Sequence, residues 1–181
     1  MMKRLVFGLL VICLAFSCGT AETAKEDVTS ESPSRDVYIA EIRKSETSMH
    51  SSTLLDKTVA ADAIKKYSAF VEIFPGDSLS PDYLFKAAEI STAIEQYPQA
   101  LKFYERVHTG YPNFELVQES LYLQGYVLDN FMNQDAKAKL IYEDVIKKYP
   151  ESTYASDAKA AIQNLGKSDE QLIEEFRKKN K

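Results

Sequence analysis

The apolar positions of the chain repeat at intervals of 37 and then 38 residues. Three aromatic–proline pairs mark the repeat. An alanine lies twelve residues before each proline, a tyrosine lies eight residues before it, and a phenylalanine or valine lies five residues before it. These spacings place the side chains on one helical face, and proline cannot continue the helix, so the pattern predicts three helices of one kind. The marker residues are Ala63, Tyr67, Phe70, Phe74 and Pro75; Ala100, Tyr104, Val107, Tyr111 and Pro112; Ala138, Tyr142, Val145, Tyr149 and Pro150.

Each of these helices is preceded by another helix of similar length. Ser80 followed by Pro81 is typical of an N-cap and the first helical position, and it predicts a helix that buries small and branched residues. The next copy carries Gly125, 37 residues after Ala88. Glycine inside a helix costs about 1 kcal/mol relative to alanine, so we expect close approach of the partner helix at that position.

The C-terminal end of the chain has the features of a capping helix. Gly166 is suited to end the preceding helix in a left-handed conformation, and Ser168 with Gln171 matches a capping box. Residues 170–179 then carry Leu172, Ile173 and Phe176 on one face, with basic residues in the last turn. We therefore assign 166–181 to a C-terminal cap.

The N-terminus has the charge, length and ending of a signal peptide over residues 1–17. Its apolar run, Leu5 to Phe16, is shorter than the roughly 20 residues of a transmembrane helix. The sequence that ends in Ser17 and Cys18 resembles the lipobox of bacterial lipoproteins. The resemblance implies that Cys18 becomes the first mature residue and carries diacylglycerol and an N-acyl chain such as palmitate. The alternative is an ordinary secretory leader with an incidental cysteine.

Composition changes sharply after the leader. Residues 18–36 are rich in Ser, Thr and acids with no aromatic residue, which predicts a disordered tether. Residues 37–57 form an irregular lead-in: Val37, Ile39 and Ile42 indicate one short helix, and 45–53 is polar and typical of a loop. Removal of 1–17 takes away two basic residues and no acid, so the net charge falls from −5 to −7. An acidic protein is a poor ligand for nucleic acid.

The repeat resembles the tetratricopeptide repeat (TPR), with a small residue in the first helix and alanine, aromatic, branched residue and proline in the second. The match runs from about Leu54 to Leu165. It implies an all-α, right-handed TPR-type α-solenoid of antiparallel helix pairs, with repeats over 58–165. The aromatic–proline style, continued by the alanines after Tyr154, is similar to bacterial envelope lipoproteins: BamD-type assembly factors, the Tol-Pal coordinator, and small Bacteroidetes-type repeat lipoproteins.

Partners follow from the same resemblance. In that family the first helix of each pair lines a concave groove, which binds a protein or an extended peptide. The positions that carry over onto this chain as a partner-binding groove are Phe85, Glu89, Thr92, Tyr122, Tyr126, Asp129 and Asn130. The alternative for Phe85 and Tyr122 is burial between repeats.

The sequence offers few residues that could serve in catalysis. Both cysteines, Cys13 and Cys18, lie in the first 18 residues, so nothing downstream forms a disulfide, a cysteine metal site or a thiol nucleophile. His50 has no metal-ligating neighbour in sequence, and His108 is typical of a helix surface or a partly buried site. We expect no catalytic residue, metal or cofactor.

The expected function is a non-enzymatic protein–protein interaction scaffold, anchored to the bacterial outer membrane through lipidated Cys18 with its folded domain in the periplasm. An accessory role in outer-membrane protein assembly is the first hypothesis. A cell-wall or division coordinator of the Tol-Pal type is the second. An envelope hydrolase, with unrecognised catalytic groups in residues 37–57, is the alternative from a different class.

Overall fold

A computed structural model describes residues 33–50 and 56–179, and every regular element in these ranges is an α-helix. The helices are α1 (Arg35–His50), α2 (Lys57–Ile73), α3 (Ser80–Ala93), α4 (Tyr97–Gly110), α5 (Val117–Asn130), α6 (Asp135–Lys148), α7 (Thr153–Asn164) and α8 (Asp169–Lys179).

The three helices predicted from the aromatic–proline pairs are α2, α4 and α6. Their marker alanines, tyrosines and phenylalanine or valines are all buried, with at most 2% of each residue exposed. Each helix ends on the aromatic residue before the proline, Phe74, Tyr111 or Tyr149, whose N–H donates to the carbonyl four residues back. The three C-cap residues also share nearly the same backbone angles, with ψ of 56°, 65° and 56°. The prediction of one repeated helix type is confirmed.

Helix α3 begins one residue differently from the prediction. Its N-cap is Leu79, and Ser80 is already the first helical residue, with Pro81 after it. The Ser80 hydroxyl is buried and donates to the Phe74 carbonyl at 2.5 Å instead of capping its own helix. Ser80 therefore joins the end of α2 to the start of α3, and its expected role as an N-cap is wrong.

Gly125 lies where α5 crosses α6. A Cβ atom built on this residue would stand 2.8 Å from Cε1 and 2.9 Å from Cδ1 of Tyr142. Real Cβ atoms do not approach a ring that closely, so only glycine fits here without movement. The close approach expected from the sequence is confirmed.

Each helix packs on the next one along the chain from α1 to α7, and α5 also contacts α7. This is the arrangement of a TPR-type α-solenoid, in which α1, α3, α5 and α7 are the first helices of successive pairs and α2, α4 and α6 are the second helices. One group of buried apolar residues joins α1 to α5, and a second joins α5, α6 and α7. Helix α5 contributes to both groups.

Helix α1 is longer than the sequence indicated. It begins at Arg35, inside the predicted tether, and continues to His50 through most of the polar stretch expected to be a loop. Tertiary contacts explain the difference: the buried Ser45 hydroxyl donates to Asp62 at 2.7 Å and accepts from Lys66 at 2.7 Å. Polar side chains of α1 thus find their hydrogen-bond partners on α2. The spacing of apolar residues along α1 does not show such contacts.

The C-terminal cap has the expected local structure. Gly166 adopts a left-handed φ of 73° after α7. The Ser168 N–H donates to Gln171 Oε1 at 2.9 Å, and the Gln171 N–H donates back to Ser168 Oγ at 3.4 Å. Both the left-handed glycine and the capping box are confirmed. Helix α8 half-buries Leu172.

No helix in the described ranges is long and apolar enough to cross a bilayer. The predicted signal peptide, Cys18 and the tether up to residue 32 lie outside the described residues.

Candidate partner-binding groove

The seven residues predicted to line the groove lie on α3 and α5, the first helices of two successive pairs. Three pairs of them occupy equivalent positions 37 residues apart: Phe85 and Tyr122, Glu89 and Tyr126, Thr92 and Asp129. The same interval separates Ala88 from Gly125, so the register of the two helices is consistent. The surroundings of each residue decide which of them can meet a partner.

Phe85 does not reach the groove surface. Only 4% of it is exposed, and its ring packs edge-on against Tyr104 at 5.9 Å and Phe114 at 6.3 Å between ring centroids. Phe114 belongs to the turn before α5 and covers the ring from the next repeat. Phe85 is therefore a core residue, which corrects its assignment to the groove. The sequence left this alternative open.

Thr92 and Glu89 differ in how much of each reaches solvent. Thr92 is half-buried, and its hydroxyl donates to the Ala88 carbonyl of its own helix at 2.9 Å. Glu89 is exposed. Partial withdrawal of its carboxyl from water, together with the nearby carboxyls of Glu119 and Asp82, raises the pKa of Glu89. On α3, Glu89 is thus the predicted groove residue with the most accessible side chain.

On α5, two tyrosines form the predicted aromatic part of the groove. Tyr122 is half-buried, with its ring centroid 5.6 Å from that of Tyr142 and 5.6 Å from that of Tyr154 on α7. Tyr126 is 38% exposed and packs edge-on against Phe131 at 5.8 Å. Tyr122 therefore joins α5 to α7, and Tyr126 offers ring surface to a partner.

The last two predicted residues lie near the C-terminal end of α5. Asp129 is half-buried and accepts from the Tyr142 hydroxyl at 3.3 Å. Its burial, and the neighbouring Asp135, raise the pKa of the Asp129 carboxyl despite that hydrogen bond. Asn130 is exposed, and its amide donates to the Tyr126 carbonyl at 3.1 Å. Tyr126, Asp129 and Asn130 thus lie together on the accessible side of α5.

Several residues around the groove were missed from the sequence. Asp82 and Glu119 lie 37 residues apart, each three positions before the predicted pair Phe85 and Tyr122, so the repeat register could have found them. Tyr154 on α7 could not be placed this way, because no aromatic–proline pair follows Pro150 to extend the repeat register. Burial and a hydrogen bond to Glu119 raise the pKa of Tyr154 to about 12.

The α1 side of this surface is closed by ion pairs. Glu46 accepts from the Tyr67 hydroxyl at 2.7 Å and from Lys86 Nζ at 3.3 Å. Lys86 also contacts Asp82 at 3.0 Å and lies 5.8 Å from the centre of the Tyr83 ring. These contacts hold α1, α2 and α3 together. The open part of the groove therefore runs over α3, α5 and α7.

Each of the two histidines has a hydrogen-bonding neighbour among the described residues. His108 is half-buried, with Nε2 3.2 Å from Gln124 Oε1, and burial lowers its pKa. His50 Nδ1 lies 2.7 Å from the Glu46 carbonyl of its own helix. Within residues 33–50 and 56–179, no three His, Cys, Asp or Glu side chains are grouped so that they could hold a metal ion.

The surface cavities described here are lined by other residues. The largest of those described, about 750 Å³, lies between the turn that follows α2 and the turn that follows α4. The Tyr111 hydroxyl spans the two turns by donating to the Pro75 carbonyl at 2.9 Å. None of the seven predicted groove residues lines this cavity. The predicted groove residues therefore lie outside this cavity.

Residues 119–152, which cover most of α5 and all of α6, match the family model of the tetratricopeptide repeat. The match ends two residues after Pro150, the last of the three marker prolines. Together with the helix-pair packing, it identifies the fold as a TPR-type solenoid, which in general serves protein–protein interaction and carries no enzymatic activity of its own. A search of curated proteins found no match to the chain.

Proposed function

We propose that this protein is an interaction scaffold that binds a protein or an extended peptide in the groove over α3, α5 and α7, and that Cys18 anchors it to the bacterial outer membrane. The folded domain then lies in the periplasm, where it acts as an accessory in outer-membrane protein assembly. The tetratricopeptide match supports the first part of this proposal. The leader that ends at Cys18 supports the second.

One observation carries the binding part of the proposal. On α5, Tyr126 and Asn130 are one helical turn apart, both exposed, and both lie on the first helix of the pair that matches the family model. A tyrosine ring offers a large contact area with little loss of side-chain entropy, and amide and carboxyl groups beside it supply hydrogen bonds. Such a combination on a concave repeat surface suits a peptide or a partner helix.

Cross-linking in intact envelopes tests the groove. Wild type is compared with Tyr126→Ala combined with Asn130→Ala, and with a matched control, Leu140→Ala combined with Asn113→Ala. The control residues are also exposed but lie on α6 and in the turn after α4. We expect a specific cross-linked protein with wild type and control, and its loss with the groove variant. Equal recovery from all three samples contradicts the assignment of the groove.

Metabolic labelling with palmitate tests the anchor. Cys18→Ala is expected to abolish the label and release the protein from membranes, whereas Cys13→Ala, in the same leader, is expected to keep both. Several acyl chains hold a protein on a membrane far more firmly than one, so washing with salt should not remove the wild type. Unchanged labelling of Cys18→Ala would contradict lipidation at Cys18, and absence of label from the wild type would identify the leader as an ordinary secretory signal.

Co-purification tests the place in outer-membrane protein assembly. Mild detergent extracts of tagged wild type are expected to contain subunits of the β-barrel assembly machinery, and the groove variant is expected to lose them. Recovery of cell-wall or division proteins in their place contradicts the assembly role. It leaves the scaffold function intact.

A further inference from the structure

An aromatic strip follows helix α5 and continues onto the start of α7 at one end and the start of α4 at the other. We define it by Tyr154, Tyr122, Tyr126, Phe131 and Tyr97. Tyr154 and Tyr122 have ring centroids 5.6 Å apart, and Tyr122 lies one helical turn before Tyr126. Phe131 then packs 5.8 Å from Tyr126 and stacks on Tyr97 at 5.1 Å with only 5° between the ring planes. Tyr126 and Phe131 are 38% and 41% exposed.

Carboxylates without cationic partners accompany this strip. Glu89 on α3 and Glu119 and Asp129 on α5 form no ion pair with any residue that the structure describes. The nearest lysine to Glu89 on its own helix, Lys86, is bound to Asp82 and Glu46. On the second helix α6 the situation is the opposite, since Glu143 and Asp144 pair with lysines of the same helix at 4.0 and 2.8 Å.

The free groove therefore has an unfavourable electrostatic arrangement. Glu89 and Glu119 repel each other from adjacent first helices, and this repulsion adds to partial burial in raising the pKa of Glu89. A lysine or arginine placed between them removes the repulsion and forms ion pairs at the same time. A cation at Glu119 also lies close to the aromatic strip, because Tyr154 is hydrogen-bonded to Glu119, and aromatic faces attract cations through their quadrupoles. An acidic ligand gains neither contribution.

From this charge complementarity we infer that the groove takes a basic, extended protein segment, whose lysine or arginine side chains pair with Glu89, Glu119 and Asp129 while its backbone and apolar groups lie along the aromatic strip. This inference rests on the proposed scaffold function and adds the chemistry of the partner. A glycan also stacks on exposed rings, but it has no cation for the carboxylates. The partner side of the interface is thus positively charged.

Fluorescence anisotropy with two labelled synthetic peptides tests the inference on the folded, leader-free domain purified with its tether. One peptide alternates arginine with serine and the other alternates glutamate with serine. The groove variant is Glu89→Gln with Glu119→Gln, and the matched control is Glu105→Gln with Glu143→Gln. The control makes the same change in net charge with two exposed residues of the second helices α4 and α6.

We expect the wild type and the control to bind the arginine peptide and not the glutamate peptide. Neutralising two carboxylates is expected to weaken the arginine peptide about fivefold or more. The charge-reversed variant Glu89→Lys with Glu119→Lys is expected to prefer the glutamate peptide, and circular dichroism verifies that each variant is folded. Equal weakening in groove and control variants means attraction by net charge alone, and it overturns the inference.

Soluble peptidoglycan fragments form a separate arm of the same experiment. Fragment binding that Tyr126→Ala removes and the glutamine variant leaves unchanged identifies a glycan site and overturns the inference. The cross-linking experiment separates this failure from a failure of the scaffold function. If a protein partner is captured through Tyr126 and the charge variants capture it equally well, the scaffold function is supported. The inference that the partner segment is basic is then contradicted.

Discussion

Replacing Gly125 by alanine gives a direct measure of how closely α5 and α6 approach. The new Cβ atom meets the ring of Tyr142 at 2.8 and 2.9 Å and Ile141 Cγ2 at 3.3 Å. Tyr142 has no exposed surface and its hydroxyl is bonded to Asp129, so the ring has little room to move. The two helices must therefore separate or the ring must leave its rotamer.

The magnitude follows from two opposing contributions. Overpacking in a filled core lowers the free energy of unfolding by about 1–3 kcal/mol. Because the surroundings of Gly125 are rigid, we expect the upper end of this range, about 3 kcal/mol. Alanine recovers about 1 kcal/mol of helix propensity relative to glycine. The net expected loss in the free energy of unfolding of Gly125→Ala is about 2 kcal/mol. For a domain of this size, such a loss lowers Tm by about 4–8 °C.

Urea and thermal unfolding, followed by far-ultraviolet circular dichroism, measure the loss. Gly110→Ala is the matched control, because the same added methyl group meets nothing within 4 Å at the end of α4. It is expected to leave stability unchanged or to raise it by up to about 1 kcal/mol. A double-mutant cycle with Tyr142→Leu removes the ring, and the penalty of Gly125→Ala is expected to disappear in that background.

If Gly125→Ala is as stable as Gly110→Ala, the close contact with Tyr142 does not explain this glycine. The same conclusion follows if the penalty persists after the ring is removed.

Three further predictions concern other contacts. Arg35→Ala removes an ion pair with Asp77 (Nη2–Oδ1 3.1 Å) that lowers the pKa of Asp77 from its ordinary value. The stabilisation is therefore present at neutral pH and is lost as the pH falls through that lowered pKa. Hydrogen exchange in α1 should be faster than in the wild type at pH 7, and the difference should shrink as the pH falls into the acid range. Gly166→Ala forces alanine into a left-handed conformation, which should lower the stability of the α7–α8 junction by about 1 kcal/mol. Limited proteolysis should therefore cut this junction faster than in the wild type. Tyr142→Phe removes the hydroxyl that donates to Asp129 and should lower the free energy of unfolding in urea by about 1 kcal/mol. In the wild type this hydrogen bond lowers the pKa of Asp129, so carboxyl NMR titration of the variant should show a higher pKa for Asp129.

The second helices could be predicted from the sequence because one repeated spacing gives both the buried face and the end of each helix. Alanine, tyrosine and a branched or aromatic residue mark the buried face, and the aromatic–proline pair marks the end. The C-terminal cap was predictable for the same reason, since Gly166 and the pair Ser168 and Gln171 act within a few residues. Local geometry and local sequence agree at these places.

Tertiary contacts decided what could not be predicted. Helix α1 has little apolar periodicity, and its polar face is satisfied by Asp62 and Lys66 from another helix. Phe85 occupies the same repeat position as Tyr122, yet a turn residue of the next repeat, Phe114, covers it. The aromatic strip likewise joins residues from α4, α5 and α7, and no single stretch of sequence contains that arrangement.

The packing of each helix on its neighbours in sequence has a consequence for how the protein folds. Because most contacts join nearby parts of the chain, little loop entropy is lost before a contact forms, and we expect fast folding. Opening should also be graded, with amides of α8 exchanging first and those of α4 and α5, which have helices on both sides, exchanging last. A partner seated across α3, α5 and α7 joins three units that otherwise open one after another, so binding makes their unfolding cooperative.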